Sequence, residues 1–228
     1  MGESSRSEKS LRNSDSISSV EPRPTNTFSQ INFMGLHLDV FKEVYVPQED
    51  SFMLAKHSHH LEGNILELGA GCGLSSLVNA SHNPRNYVLG VDLNSQAVQN
   101  AQYNAAHNKI QNAQFLHSDL FSNVPNLRFD AIIFNPPYLP EEISGSRKQS
   151  LMDLALYSGK DGRTQTDRFL FYLQDYLLPG GKAFLIQSSL TDIPKTMEKA
   201  CTLGFSAEII EEQSFFFEKL ALLELFRE

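Results

Sequence analysis

Asn64-Ile65-Leu66-Glu67-Leu68-Gly69-Ala70-Gly71-Cys72-Gly73 reads as an apolar strand running into a glycine loop, and Leu74 to Ala80 continues as a helix. Glycines at such a junction let the backbone turn tightly and approach a ligand. The spacing is G-x-G-x-G, not the dinucleotide G-x-G-x-x-G, and alone it is a weak signal. Glu67 is out of place in an apolar strand, because a buried carboxylate is costly unless paired. It is read as facing a site, with a structural salt bridge as the alternative.

Three further strands follow, each ending in a polar residue. Tyr87 to Val91 ends at Asp92, nineteen residues past Gly73. An acid about 20 residues beyond such a loop commonly binds ribose hydroxyls. Asp92 can equally serve the N-terminus of the 95–107 helix, for which Asn94 is a good N-cap, and the two roles are compatible. Ala113 to His117 leads into Ser118-Asp119-Leu120. Asp119 there could accept from an exocyclic amine, although a turn aspartate is the plainer reading of that residue alone. Phe129 to Phe134 is cut off by Asn135-Pro136-Pro137-Tyr138.

The two prolines end that strand abruptly and fix Asn135 at its carboxyl end, the edge where open α/β sheets bind ligands. The Asn135 amide can accept a hydrogen bond from an incoming amino or amide nitrogen. Pro136 and Pro137 offer carbonyls without N–H groups beside them, and Tyr138 offers a flat surface. N-P alone is a common turn dipeptide. After a buried strand and downstream of a glycine loop, N-P-P-Y is read as functional.

Together these segments resemble class I S-adenosylmethionine-dependent methyltransferases. E-L-G-A-G-C-G looks like their first motif, V-D-L-N their second, S-D-L their third and N-P-P-Y their fourth. More narrowly, the chain resembles HemK-type protein glutamine methyltransferases, in the short archaeal and eukaryotic branch that acts on class I peptide-release factors. That likeness rests on Val44-Tyr45-Val46-Pro47-Gln48-Glu49-Asp50-Ser51-Phe52, on Gly159-Lys160-Asp161-Gly162-Arg163 and on Asp167-Arg168-Phe169-Leu170. Val46, Gln48 and the segment Arg147 to Leu156 depart from the pattern. The resemblance implies a Rossmann-like α/β fold: a mostly parallel seven-stranded sheet with an antiparallel edge hairpin and helices on both faces. It implies S-adenosyl-L-methionine as cofactor, with Ser51, Glu67, Gly69 and Gly71 around its methionine and ribose parts, Asp92 at the ribose, and Asp119 and Leu120 at the adenine. It implies a glutamine acceptor in the GGQ loop of a release factor, held by Asn135, Pro136, Pro137 and Tyr138. Enzymes of that branch often pair with a small zinc-binding activator protein, which would add to the sheet edge at the 113–117 strand, with Phe115 as a contact if it faces the partner; the alternatives are an edge covered by the chain's own 122–126 loop or left to solvent. An adenine-N6 methyltransferase and a non-catalytic cofactor-binding module remain as alternatives.

The composition fits one domain. The chain has 228 residues, 41% hydrophobic and without tryptophan, enough for a full α/β core. Net charge is −8, which disfavours nucleic acid as a partner, since phosphate binding needs a basic surface. Cys72 and Cys201 form no metal or disulfide framework and are expected as free thiols. No apolar stretch reaches the roughly 20 residues of a membrane span, and the protein is expected in the cytoplasm. Residues 1–29 are Ser-rich and expected to be a disordered tail, with the methyltransferase domain over 30–228. His57, His59 and His60 lack further ligands and predict no metal site.

Helices are predicted over 162–178, stopped by Pro179-Gly180-Gly181, and over 193–203; strands over 182–187, 205–211 and 220–226. The long connection from Asn135 to Gly162 is read as a substrate clamp, with Arg147 and Lys148 in it. Phe215-Phe216-Phe217 is read either as a partner-binding tip or as hairpin packing.

Overall fold

The computed structural model of the protein describes residues 24–141 and 150–227. An N-terminal hairpin, β1 (Thr27–Phe33) and β2 (Leu36–Phe41), precedes α1 (Glu49–Ser58). The main sheet then begins with β3 (Asn64–Leu68), α2 (Leu74–His82), β4 (Tyr87–Asp92), α3 (Ser95–His107), β5 (Ala113–His117) and β6 (Phe129–Phe134). It continues through α4 (Leu151–Leu156), α5 (Thr164–Tyr176), β7 (Leu177–Ser188), a 3-10 turn at Ser189–Thr191, α6 (Ile193–Thr202), β8 (Ser206–Ser214) and β9 (Lys219–Phe226). The strand order is β5-β4-β3-β6-β7-β9-β8. β9 runs antiparallel between β7 and β8, so the expected antiparallel edge is present and β5 lies at the opposite edge.

The buried strands alternate between two cores, which is why they read as continuous apolar runs. Leu66, Leu68, Leu89, Val91, Ile132 and Phe134 point to the face packed by α5 and α6. Ile65, Val88, Ala131 and Ile133 point to the other face, with α1 and α2 residues. Gly90 belongs to that second face. A Cβ there would stand 2.6 Å from the Phe115 ring, so the glycine makes room for Phe115.

The hairpin β1–β2 was not legible as strands, and its first residues fall inside the segment read as tail. The structured chain begins before residue 30, since β1 starts at Thr27; residues 1–23 lie outside the described region. What holds the hairpin is a ladder of asparagines along α3. Asn100 Oδ1 accepts from Phe41 N at 2.8 Å, and its Nδ2 donates to Asp39 O at 2.8 Å. Asn104 accepts from Asp39 N at 3.0 Å and donates to Asp39 O and Cys72 O, both at 2.9 Å. Asn108 repeats the pattern on His37, at 3.0 and 2.9 Å. Three amides spaced i, i+4 and i+8 share one helix face and replace a neighbouring strand along β2.

Several boundaries move, by three residues at the end of β8, which runs to Ser214. The 162–178 helix is Thr164–Tyr176, because Arg163 is held outside it as a buried tie. Its guanidinium donates to the carbonyls of Thr191 and Asp192, to Thr196 Oγ1 and to Asp167. Pro179-Gly180-Gly181 does not separate helix from strand but lies within β7, where the pairing with β6 slips between Phe129↔Leu177 and Ala131↔Lys182. The 135–162 connection contains α4 and a bridge of Leu139 to Tyr157; Arg147 and Lys148 lie outside the described residues.

Candidate active site

Parallel register sets the site. Leu68 pairs with Val91 and with Phe134, and Asp92 pairs with His117. Gly69, Asp92, His117 and Asn135 therefore stand in one row at the carboxyl ends of β3, β4, β5 and β6, with Ser118 and Asp119 the next residues beyond it. A single cavity above this row is lined by Ser51, Glu67, Gly69, Gly71, Asp92, Asp119, Leu120, Asn135, Pro136, Pro137 and Tyr138. Every site residue expected from the sequence is brought together.

The glycine loop has all three glycines at positive φ, and a Cβ on Gly71 would meet nothing within 4 Å, so its backbone forms open floor. Asp92 fixes that floor. Gly71 N donates to Asp92 Oδ2 at 2.8 Å, and Asn94 N donates to Oδ1 at 2.8 Å. Asn94 caps α3 through Gln96 N, so the aspartate and the asparagine divide the work. A carboxylate has about four lone-pair positions, which leaves two for hydroxyls.

Glu67 is buried, and its carboxylate accepts from Ser76 N at 2.8 Å and from the Ser76 hydroxyl. These donors belong to the first turn of α2, where negative charge is favoured. The salt-bridge alternative fails: among the described residues Glu67 has no cationic partner. Burial pushes its carboxyl up to about 7, against hydrogen bonds from Ser76 and Ser75 that pull it down. Burial likewise raises Asp92 above the carboxylate range, opposed by the Asn94 and Gly71 amides. Burial thus disfavours the charged forms of both carboxyls, and a cation beside them would favour those forms.

A pH dependence follows. Glu67 in the fold titrates near 7 and near 4.5 when unperturbed, so the folded state holds a proton that the unfolded chain has released between those values. Its contribution is fully present below pH 4.5 and is lost as pH rises through about 7, a change of roughly 3 kcal/mol. Glu67→Gln should flatten this: thermal melts at pH 5 and pH 8 should show the variant gaining on wild type at the higher pH. Equal slopes would remove Glu67 as the cause.

Asp119 has a partner that its own segment does not announce. It lines the cavity, but Arg168 grips its carboxylate with two bonds, Nη1 to Oδ1 at 2.8 Å and Nη2 to Oδ2 at 3.1 Å. A bidentate arginine fixes the carboxylate plane and leaves fewer lone pairs for an amine. Leu120 beside it has φ of 48°, a left-handed conformation that is strained for a leucine.

At the other end stands a residue that the sequence reading quoted but gave no role. Asp50 is buried on α1. Its Oδ1 accepts from Ser51 N at 2.7 Å and Ser51 Oγ at 3.1 Å. Its Oδ2 accepts from Asn135 Nδ2 at 3.0 Å and Tyr138 Oη at 3.3 Å. A carboxylate only accepts, so the Asn135 amide must turn its Nδ2 toward Asp50. Asn135 Oδ1 is then left buried with no hydrogen-bond partner. Burial first, then the Asp50 charge, pushes the Tyr138 and Tyr45 phenols up, so both stay neutral donors.

Other candidates fall away. Among the described residues no group of three or more His, Cys, Asp or Glu is placed to hold a metal; His57 is paired with Glu211. Cys72 is buried and Cys201 exposed, both free, and burial pushes the Cys72 thiol up to about 12. Phe115 is buried against α3, so it cannot face a partner; Leu116, 38% exposed, is the residue that points outward from β5. No helix among the described residues is long and apolar enough to cross a membrane.

The methyltransferase small domain model matches residues 36–153. The chain is 40% identical over 198 residues to a Methanocaldococcus jannaschii protein named "Putative protein N5-glutamine methyltransferase", covering 86% of this chain and 98% of that one. It is 32% identical over 162 residues to the release factor glutamine methyltransferase of Buchnera aphidicola, covering 68% of this chain but 57% of that longer protein. The fold matches the E. cuniculi Mtq2–Trm112 complex, responsible for methylation of the eRF1 translation termination factor, with a TM-score of 0.62 at 21% identity over 82% of this chain and 100% of that one. With its glycine loop, its row of strand-end acids and N-P-P-Y in that setting, the chain belongs to the methyltransferase small-domain family and groups there with the HemK-type protein N5-glutamine methyltransferases.

Proposed function

We propose that the protein methylates the side-chain amide nitrogen of a glutamine, in the GGQ loop of a class I peptide-release factor, with S-adenosylmethionine as donor. The observation that carries this reading is the buried, unpartnered Oδ1 of Asn135, held in that orientation by Asp50. A buried acceptor left unpaired costs about 1–3 kcal/mol, which an N–H of the acceptor amide would recover.

The residues present fit the cofactor. The glycine floor and Asp92 suit a ribose, and Glu67 and Asp92 together suit a ligand with positive charge. S-adenosylmethionine supplies a methyl group already activated on a sulfonium. An amide nitrogen is a poor nucleophile because its lone pair is delocalised, so orientation must supply much of the rate, up to about 7–11 kcal/mol. Asn135 Oδ1 and the Pro136 carbonyl would take the two amide hydrogens and so fix the orientation of the acceptor nitrogen. Tyr138 packs beside the glutamine side chain. The proton leaves the nitrogen to water after transfer, when that nitrogen is far more acidic.

Charge separates this reading from its rivals. The described lining includes Asp50, Glu67, Asp92, Asp119 and Glu218 and no lysine or arginine, which repels a phosphate backbone. Transfer from labelled cofactor, compared between a release factor and adenine-containing oligonucleotides, tests it. Label on the oligonucleotide alone assigns the adenine-N6 reaction, and tight cofactor binding with no transfer assigns a binding module. A release-factor substrate places the protein's work in the cytoplasm.

Asp92→Ala should weaken cofactor binding by about 1.5–3 kcal/mol, from the lost charge-assisted bond and the freed Gly71 amide. Calorimetry on the folded variant checks it, and unchanged affinity rejects the ribose role.

A small zinc-binding activator protein would add to the open edge of β5. Leu116→Lys should abolish co-elution with it on gel filtration while leaving the melting temperature within a few degrees. Co-elution unchanged by Leu116→Lys places the partner elsewhere. Phe115→Lys would instead unfold the chain, because that ring fills the α3 face.

A further inference from the structure

The loop joining β8 to β9 carries two aromatic residues at its tip. Ser214 pairs with Lys219, and Phe215 N donates to Glu218 O at 2.7 Å, which leaves Phe216 and Phe217 as the two turn residues. Neither residue has a positive φ, so the backbone of this turn accepts ordinary side chains and does not itself call for phenylalanine. Here both positions are phenylalanine, 92% and 86% exposed, with rings edge to face at 4.6 Å and 85°. Neither ring packs into a core, and both leave apolar surface in water. Two adjacent, exposed aromatic rings with no packing role in the fold mark a position for contact with another molecule.

Its place decides what it serves. Glu218, the residue that closes the turn, lines the same cavity as Asn135 and Tyr138. The Ser188 hydroxyl, at the end of β7, donates to Glu218 at 2.6 Å. β7 neighbours β6, so the turn stands at the sheet edge that carries Asn135, beside the acceptor end. Leu151 and Leu154 of α4 also line the cavity. The cavity is thus acidic, through Asp50 and Glu218, and the exposed aromatic pair directly precedes Glu218 in the chain. Phosphates are disfavoured by the first property, and a polypeptide with an apolar side chain is favoured by the second.

We propose that the Phe216–Phe217 turn is a docking finger for the protein acceptor, taking an apolar side chain of that protein beside the loop that carries the methylated residue. This rests on the protein-acceptor reading above. The cavity reads the amide; the finger reads the folded surface around it.

The test is steady-state transfer by the full chain carrying Phe216→Asn with Phe217→Gly, residues that suit a two-residue turn. Its melting temperature and cofactor affinity should match wild type. With the folded release factor, KM should rise about tenfold or more while kcat stays within about threefold. With a short synthetic peptide of the acceptor loop alone, the variant and wild type should not differ. Should the double variant lose its fold, Phe216→Ser alone carries the same expectation. An unchanged KM, with wild type active on the release factor, overturns the finger and leaves the acceptor reading standing. The same holds if the substitutions abolish only co-sedimentation with anionic lipid vesicles, or only self-association. No wild-type transfer to any release factor overturns the acceptor reading and the finger with it.

Discussion

Asn135→Ala is expected to cut methyl transfer by about 100-fold or more while cofactor affinity changes only modestly. Removing one preorganised hydrogen-bonding group that acts in the transition state costs on the order of 10²–10³ in rate. Asn135 meets that description because its Oδ1 is buried, unpaired and fixed. Its side chain makes no hydrogen bond that the fold depends on, apart from that to Asp50 and a long 3.5 Å contact to Ser51 Oγ. The variant should therefore fold, and the loss should appear in kcat. Single-turnover transfer with labelled cofactor, beside calorimetric cofactor affinity, separates the two effects. If more than about a tenth of wild-type turnover remains, less than 1.4 kcal/mol came from this amide, and orientation by Asn135 is not the mechanism.

The row of strand ends was legible because parallel, doubly buried strands leave long apolar runs, and each polar residue that ends a run stands out against them. Gly69, Asp92, Asp119 and Asn135 were found this way; register brings Gly69, Asp92 and Asn135 level, and Asp119 lines the same cavity from just beyond β5. Contacts between distant residues were not legible. Asp50 meets Asn135 from 85 residues away, and Arg168 meets Asp119 from 49. Nothing local in either segment announces the pairing. The edge strand carrying Phe115 was legible, but which face that residue takes was not, because face depends on register, which one residue reverses. The hairpin at 27–41 left a fainter trace. Its outer strand is half exposed, and its support comes from α3, where Asn100, Asn104 and Asn108 at four-residue spacing were the available sign. Asparagine is a poor helix former. Three on one helix face argue for a polar partner along that face. Pro179-Gly180-Gly181 misled for a local reason: it resembles a stop, but here it absorbs an offset in the β6–β7 ladder.

Asp50 offers the sharper test of orientation, because its two oxygens are committed to different partners. Oδ1 takes the Ser51 backbone N–H and Oδ2 takes Asn135 Nδ2. In Asp50→Asn the Ser51 amide requires an oxygen at the first position, so the new NH2 occupies the second. That NH2 faces Asn135 Nδ2, donor against donor, and the Asn135 amide must flip. Its own NH2 then points at the acceptor nitrogen, which also carries hydrogens, and transfer should fall about 100-fold, as far as in Asn135→Ala. Cofactor affinity should hold within about threefold, since only the side chain at the acceptor end has turned over. A purely structural role for Asp50 predicts the same loss, so the second variant decides between them. Asp50→Asn combined with Asn135→Asp exchanges donor and acceptor across the pair. The NH2 of residue 50 then meets a carboxylate oxygen, and the other oxygen of residue 135 again faces the acceptor amide. The double variant should recover about tenfold over Asp50→Asn, with the net charge of the pair unchanged from wild type. Additive losses in the double variant would show that Asp50 supports the site by packing alone and does not set the orientation of Asn135.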